Sequence, residues 1–458
     1  MRSIAALVLA AGQGTRMKTK MMNKVLHPVA GKPMVRHVLS ALSSTGVERI
    51  VLVVGHESEQ VREALGDGIE YVEQRQQLGT GHAVQQAQKA LQGQVDDVMV
   101  LCGDTPLLRA ETLCRLKDLH VERCATVSML TAIADDPTGY GRVVRQGESV
   151  VAVVEEQSAS ASERAIREIN SGVYCFDARW LWENIQRLQL SEKGEYYLTD
   201  LVAVAAGQGR LVSALTLDEC QEVMGINDRV QLAEAEAVLR WRTRRKLMLS
   251  GVTLVDPAHS YVDDDVEVGV DSVIYPGTVL ATGTKIGEKC TIGPNSIIRN
   301  SVVGSECVIF ASVVEDSTVG DRVTIGPFSH LRSGAKIAAD VHLGNFAEVK
   351  NSQLGERTKM GHFSYIGDAE LGSDVNVGAG TVTCNYDSEM KSKSRTKVGN
   401  RVALGSDTML VAPVQVGDDA VTGAGAVVTR DVKRESVVLG VPAKPLRKAK
   451  KAHGPIGS

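Results

Sequence analysis

From about residue 252 onward an aliphatic residue recurs at every sixth position, and few folds can accommodate that period. Val268, Ile274, Leu280, Ile286, Ile292 and Ile298 form one unbroken series; after a slip of one, Val303 and Ile309 continue it. Val319, Ile325, Leu331, Ile337 and Leu343 form a second. Val398, Leu404, Leu410, Val416, Thr422 and Val428 form a third, with Thr422 the only polar member. Glycine often follows the aliphatic residue, as at Gly269, Gly287, Gly326, Gly378 and Gly405. Helical periodicity cannot imitate this. A hexapeptide period over about 160 residues is the signature of a parallel β-helix, three hexapeptides to a triangular coil and about nine coils in all. Thr383 to Ser394 break the repeat and are expected to form an inserted loop, where function tends to sit.

The first half has a different grammar. Up to about residue 225, short apolar runs (Ile4–Leu9, Ile50–Val54, Val98–Leu101) alternate with helical patterns (Met34–Ser44, Ser58–Leu65, Thr80–Leu91). Buried strands alternating with helices imply parallel βαβ units, whose ligands collect at the carboxyl ends of the strands. Residues 228–249 read as one helix with Val230, Ala233, Ala237 and Trp241 on its apolar face. Asn227 or Asp228 would cap its start, and Gly251 follows its end. Arg240, Arg242, Arg244, Arg245 and Lys246 crowd its last turns, as an anion site or as cations facing the negative helix end.

Composition narrows the function classes. The 458 residues carry 43% hydrophobic and 23% charged side chains, which excludes wholesale disorder. A net charge of −4 argues against a mainly nucleic-acid-binding surface. No apolar run approaches the roughly 18 residues of a membrane span, so no stable membrane insertion is expected. The 8 cysteines form no C-x-x-C pair and no Cys/His cluster, consistent with reduced thiols in a cytoplasm.

After the first strand comes Leu9-Ala10-Ala11-Gly12-Gln-Gly14-Thr15-Arg16-Met17. Glycines there let backbone N–H groups approach phosphate oxygens, and Arg16 adds a bidentate charge. The segment fails the dinucleotide fingerprint, because Met17 holds the third glycine position, and it lacks the ending of a P-loop. Lys24 follows. Cys102-Gly103-Asp104 then ends a buried strand with a carboxylate, which suits Mg²⁺ or a helix N-cap.

Together these motifs resemble the sugar-1-phosphate nucleotidyltransferases: L-x-x-G-x-G-T-R-M, K-V-L, Q-x-x-Q-L-G-T-G-H, then G-D. Asp136 to Arg142, Val154-Glu155, Glu168 to Gly172, Gly194 to Asp200 and Gly225-Ile-Asn227 narrow the match. With the hexapeptide half attached, residues 4–442 resemble the bacterial bifunctional N-acetylglucosamine-1-phosphate uridylyltransferase/glucosamine-1-phosphate N-acetyltransferases. That resemblance implies an α/β, Rossmann-like nucleotidyltransferase domain joined by a long helix to a left-handed parallel β-helix. The implied boundaries are 1–226, a linker helix 227–250, the acetyltransferase domain 251–443 and a basic tail 444–458.

The resemblance also implies roles. Arg16 and Lys24 would be catalytic on the triphosphate of UTP, and Asp104 and Asn227 would hold Mg²⁺. The uridine-diphosphate sugar would be bound by Leu9, Ala10, Ala11, Gly12, Lys24, Gln74, Gly79, Thr80, Cys102, Gly103, Asp104, Gly141, Glu155, Asn170 and Asn227. Asn23 stands where relatives often carry Pro, which is expected to loosen the loop aiming Lys24. In the β-helix, His362 would be the general base, since a group with pKa near neutrality suits deprotonation of an amine. Arg332, Lys350, Tyr365 and Asn376 would bind glucosamine-1-phosphate, with Glu348 orienting a neighbour.

Ala379, Asn385, Tyr386, Ser406 and Ala424 would line acetyl-CoA. Lys444 would replace a C-terminal Arg that relatives use on the CoA phosphates. A homotrimer with acetyl sites between subunits is implied, acting on small-molecule substrates and feeding cell-wall peptidoglycan. The rival readings are a nucleotidyltransferase with a purely structural β-helix and a regulatory subunit without turnover. The Lys444–Lys451 tail reads as solvated or as touching anionic membrane.

Overall fold

The computed structural model describes residues 2–19, 22–55 and 58–448. The chain divides into two compact units, Met1–Leu239 and Arg240–Ser458. Among the described residues no helix is long and apolar enough to cross a membrane.

The first unit is built on a 9-stranded sheet. Its principal strands are β1 (Ile4–Ala10), β2 (Arg49–Val54), β3 (Glu70–Glu73), β4 (Asp97–Cys102), β5 (Val127–Ile133), β6 (Glu168–Asp177) and β7 (Val212–Leu217). Their order is β7-β5-β6-β4-β1-β2-β3. β1 pairs in parallel with β2 on one side and β4 on the other. The order therefore reverses at β1, leaving a crevice beyond the carboxyl ends of β1 and β4. β1 is apolar throughout because both of its faces are covered: Ala5 and Leu7 enter one core, Ala6 and Val8 the other. The sheet is mixed rather than wholly parallel, since β6 runs antiparallel to β4 and β5. The helical stretch expected over Thr80–Leu91 breaks at Ala87 into Thr80–Gln86 and Gln88–Leu91.

The helix Arg229–Leu249 spans both units. Asp228 caps it, its Oδ1 accepting from the Val230 and Gln231 amides at 2.9 Å. The expected apolar face is corrected: Val230, Ala233, Ala237 and Trp241 are exposed. The neighbouring series is the one buried, with Ala235 and Leu239 packed among Val29, Met34, Leu107 and Ile226. Two interleaved three-and-four series coexist in this helix, and the first unit offers its apolar surface to the second of them. Two of the basic residues that crowd its last turns are engaged by the second unit. Arg244 is buried and donates to the carbonyls of Pro257, Ala258 and Ser260, and Arg240 pairs with Asp263 at 3.2 Å.

The second unit is a β-helix of three sheets with 12, 10 and 9 strands, parallel except for the last strand of the first sheet. Face 1 runs from Thr253–Leu254 through Val273–Ile274, face 2 from Tyr261–Val262 through Val279–Leu280, and face 3 from Glu267–Val268 through Lys285–Ile286. Each strand pairs with its equivalent one coil later, as Val273 with Thr291 and Val279 with Ile297. The six-residue aliphatic series fills the prism: Ile274, Leu280, Ile292 and Ile298 are fully buried. Thr422 fits because its hydroxyl bonds Thr408 at 2.7 Å and accepts the Gly405 amide at 3.0 Å. The break in the repeat is a small hairpin, Tyr386–Asp387 paired with Ser392–Lys393. The basic tail begins as a strand, Lys444–Lys448, antiparallel to Ser436–Leu439; residues 449–458 lie outside the described residues.

Candidate functional site

The crevice at the ends of β1 and β4 holds a cleft of about 620 Å³. Leu9, Ala11, Gly12, Arg16, Lys24, Gln74, Gly79, Thr80, Cys102, Asp104, Glu155 and Asn227 line it. At its centre Lys24 Nζ donates to Asp104 Oδ2 at 2.5 Å and to Asn227 Oδ1 at 3.0 Å. Arg16 reaches the same Asn227 oxygen at 2.8 Å. Chain geometry explains the convergence. Asp104 lies in the turn just past the end of β4, and its carbonyl accepts the Ile226 amide at 2.9 Å, which brings Asn227 alongside.

Lys24 is aimed by a short 3₁₀ turn, Lys24–Leu26. Asn23 caps that turn by accepting from the Val25 amide at 3.2 Å, and its own amide donates to Gln60. Asn23 has a φ of −59°, one that Pro also adopts, and its side chain supplies a cap that Pro lacks. Gly14 is needed beside it, because a Cβ there would lie 2.7 Å from Lys24 Cβ.

The Leu78–Gly81 loop is stitched to residues 196–198. Tyr196 N donates to Leu78 O, Gly81 N to Tyr196 O, and Leu198 N to Thr80 Oγ1. The approach is so close that a Cβ on Gly79 would meet Tyr196 O at 2.7 Å. Gln74 is buried and bonds Gly79 O and His82, which fixes its amide at the cleft wall. Burial raises the Glu155 carboxyl above its ordinary range, while a hydrogen bond from Thr199 at 3.0 Å partly opposes that rise. Burial, and then the Asp104 charge, push the Cys102 thiol up to about 12.

Ala10 and Gly103 do not line the cleft: Ala10 packs into the core beneath it, and Gly103 N is tied to Leu9 O at 2.9 Å. Gly141 and Asn170 lie beside Glu155 but outside the lining; Asn170 Oδ1 accepts from Tyr174 at 2.7 Å. Gln13, Gln77, Ala83, Glu195 and Tyr197 line the cleft without having been singled out. Glu195 and Tyr197 belong to the Gly194–Asp200 motif, and that motif was the signal available for them.

Asp104 and Asn227 direct a carboxylate and an amide oxygen at one point. Such hard oxygen donors fit Mg²⁺, which takes one or two carboxylates and completes its shell with phosphates and water. Among the described residues no group of three or more His, Cys, Asp or Glu converges as a richer metal cage would require.

In the β-helix the expected residues fall into three places. Face 2 carries a ladder in which Glu348 pairs with Tyr365 along the sheet and Arg332 with Lys350. Arg332 donates to Glu348 at 2.7 Å, so Glu348 orients Arg332. The Tyr365 side chain lies over Gly367, where a Cβ would meet its hydroxyl at 2.2 Å. Asn385 joins this group: it bonds Asp368 at 2.5 Å and approaches the Tyr365 hydroxyl at 3.5 Å. Tyr386 is exposed at the base of the hairpin.

The second place is the corner between face 1 and face 2. His362, Ala379, Ser406 and Ala424 each follow the glycine that ends a face 1 strand (Gly361, Gly378, Gly405, Gly423), so they stack in one column. Asp407 N donates to Ala379 O and Gly425 N to Ser406 O, tying successive turns together. Lys444 pairs with Leu439, whose Cβ would lie 2.9 Å from a Cβ on Gly423, which places Lys444 at the far end of this column. The third place is face 1 itself. Asn376 is exposed there, paired with Lys359 and Ala403, and the structure does not bring it together with Arg332, Lys350 and Tyr365.

Comparisons with known proteins agree with both halves. Residues 6–193 match the MobA-like NTP transferase domain. Residues 316–351 match the bacterial transferase hexapeptide (six repeats), and residues 283–314 and 395–430 match the hexapeptide repeat of succinyl-transferase. The bifunctional protein GlmU of Geobacillus sp. (strain WCH70) is 49% identical over 436 residues, 95% of this chain and 94% of the relative. That of Exiguobacterium sp. (strain ATCC BAA-1283 / AT1b) is 49% identical over 436 residues, 95% of this chain and 96% of the relative. That of Heliobacterium modesticaldum is 49% identical over 434 residues, 94% of each. At that identity over nearly the full length of both partners, the chain belongs to the family of bifunctional GlmU proteins.

Proposed function

We propose that the β-helix acetylates glucosamine-1-phosphate with acetyl-CoA and that the α/β unit then transfers UMP from UTP to the product, releasing pyrophosphate. The observation that carries the second step is the meeting of Lys24, Arg16, Asp104 and Asn227 at the switch point of the sheet. Attack on a phosphorus needs little covalent help, so positioning and charge stabilisation do the work. Lys24 and Arg16 stabilise charge on the triphosphate, and the Gly12–Thr15 backbone faces the same cleft. Asp104 and Asn227 would hold Mg²⁺, which would supply neutralisation of phosphate charge. Gln74, Gly79 and Thr80 read the base from a wall fixed by the Tyr196 stitching. Glu155, with Gly141 and Asn170 beside it, receives the acetylated sugar.

In the acetyl step His362 takes the proton from the attacking amine as it forms the amide and the thiolate of CoA departs. Its place at the head of the Ala379–Ser406–Ala424 column supports that reading. Arg332 and Lys350 hold the sugar phosphate, and Tyr365 and Asn376 its hydroxyls. Because Asn376 stands on a different face, a full set takes face 1 from a neighbouring copy, which fits a homotrimer. Free thiols and nucleotide substrates fit a cytoplasmic enzyme supplying cell-wall synthesis.

Incubation with glucosamine-1-phosphate, acetyl-CoA, UTP and Mg²⁺, read by mass spectrometry, tests both steps. UDP-N-acetylglucosamine with free CoA and pyrophosphate is expected. A UDP-sugar formed only from pre-acetylated sugar phosphate would overturn the acetyl half.

A further inference from the structure

The side-chain amide of Gln74 has two ends that differ in chemistry and hardly in shape, and its surroundings decide which end faces the cleft. Gln74 is only 3% exposed. Its Nε2 lies 3.1 Å from Gly79 O and 3.0 Å from His82 Nδ1. Two acceptors use both hydrogens of an amide nitrogen, so Oε1 is the end left for the cleft that Gln74 lines. His82, on the helix Thr80–Gln86, is not one of the lining residues.

The far nitrogen of the same ring faces a second amide. His82 Nε2 lies 3.1 Å from Gln86 Nε2, which also lies 3.0 Å from His82 O. An imidazole keeps at least one N–H, so it accepts at one nitrogen at most. Amide nitrogens at both ends of the ring therefore conflict, and one amide must turn its oxygen toward the ring. Burial decides which. Turning Gln74 would set its Oε1 against Gly79 O, two acceptors face to face at a buried side chain. Gln86 is half-buried, so its amide can turn and let water take over its second bond. The ring then donates from Nε2 to Gln86 and accepts at Nδ1 from Gln74.

A fixed acceptor in the cleft reads an N–H on its ligand. The uracil of a nucleotide has one, at N3. Cytosine is of the same size but bears a lone pair at N3, and reading it there takes a donor. We propose that His82 is a positioning residue for base selection: by accepting from Gln74 at Nδ1 it holds Oε1 toward uracil N3–H and so turns cytosine away. This rests on the reading of the cleft as the UTP site. A locked amide rejects the wrong base because the mismatch leaves two acceptors facing each other, which costs more than a missing contact. An amide free to turn would offer Nε2 to cytosine and lose that discrimination.

The test is kcat/KM for UTP and for CTP, with Mg²⁺ and N-acetylglucosamine-1-phosphate, on the full chain as wild type, His82→Ala and His82→Asn. The wild type is expected to favour UTP. In His82→Ala the ratio of the two values is expected to fall at least about 10-fold. His82→Asn sets a carboxamide oxygen near the place of Nδ1 and is expected to keep the ratio within about threefold of wild type. A His82→Ala enzyme slowed with both nucleotides at an unchanged ratio would make His82 a packing residue and overturn the inference, while the UTP site stands. A wild type that makes no UDP-sugar, or that uses CTP as readily as UTP, would remove the reading of the cleft and the inference with it. If His82→Ala does not fold, His82→Asn against His82→Gln decides. Gln carries its oxygen toward the place of Nε2 and leaves Gln74 without its acceptor, so equal ratios in these two variants would overturn the inference.

Discussion

Lys24 and Asp104 are joined by a 2.5 Å ion pair, and the same ammonium also holds Asn227 at 3.0 Å. The two oxygen ligands are thus organised by a cation of the protein itself. Under the proposed function, the carboxylate that pairs with this ammonium is also the one that would hold Mg²⁺. Asp104→Ala removes the only carboxylate of the proposed metal pair. Uridylyl transfer is expected to fall by at least about 10²-fold, with acetyl transfer unchanged. The measurement is the two activities assayed separately; a parallel fall in both would remove the two-site reading.

Gly79 and Tyr196 make a close backbone approach in the cleft wall. Gly79 has φ +94° and ψ 179°, a region open essentially to glycine alone, and the space for a Cβ is filled by Tyr196 O. Gly79→Ala is expected to cost about 1–3 kcal/mol of stability and to raise KM for UTP more than it lowers kcat. Thermal unfolding together with a UTP titration checks it. An unchanged KM would separate this loop from nucleotide binding.

The parts of this protein legible in its sequence are those with one physical solution. A six-residue aliphatic period permits one kind of prism, and Ile274, Leu280 and Ile292 lie inside it as the period requires. The helix after Asn227 was legible as a helix but not in its facing. Its Val230–Trp241 and Ala235–Leu239 series both have helical spacing, and only the surface of the first unit chooses between them. Asn227 and Asp228 were interchangeable as caps on sequence alone. The structure separates them because Ile226 is bound to Asp104, which turns Asn227 into the cleft and leaves Asp228 to cap. The cap that Asn23 supplies was not legible, because it rests on a local side-chain hydrogen bond that only coordinates reveal.

Glu155 carries a pH signature. Burial raises its folded-state pKa above the ordinary range of a glutamate, so the folded protein binds this proton more tightly than the unfolded chain. Between the unfolded and the raised folded value, stability falls as pH rises; below that window the group costs nothing. Glu155→Gln keeps an acceptor for Thr199 and abolishes the charge. The Tm gain of this variant over wild type is expected to be small near pH 4 and to grow toward pH 7. Thermal unfolding at both pH values measures it, and a pH-independent difference would show that burial does not penalise this carboxylate.

His362 is exposed at the head of the column it shares with Ala379, Ser406 and Ala424, beside the face that carries Tyr365. A general base contributes about 10²–10⁴-fold, so His362→Ala is expected to lower acetyl transfer by at least about 10² with uridylyl transfer intact. A general base also leaves a mark that a merely structural residue does not. The acidic limb of the acetyl-transfer pH profile should disappear in the variant, because the amine must then find its own acceptor in water. Raising the pH should accordingly recover part of the lost rate. Acetyl transfer that keeps the wild-type pH profile at reduced magnitude would assign His362 to holding the turn rather than to moving the proton. The Ser406–Gly425 hydrogen bond between neighbouring turns lies lower in the same column. Replacing Ser406 by Ala keeps that bond, since it is made by the backbone carbonyl, and provides the comparison in which the column is intact and the pH profile is unchanged.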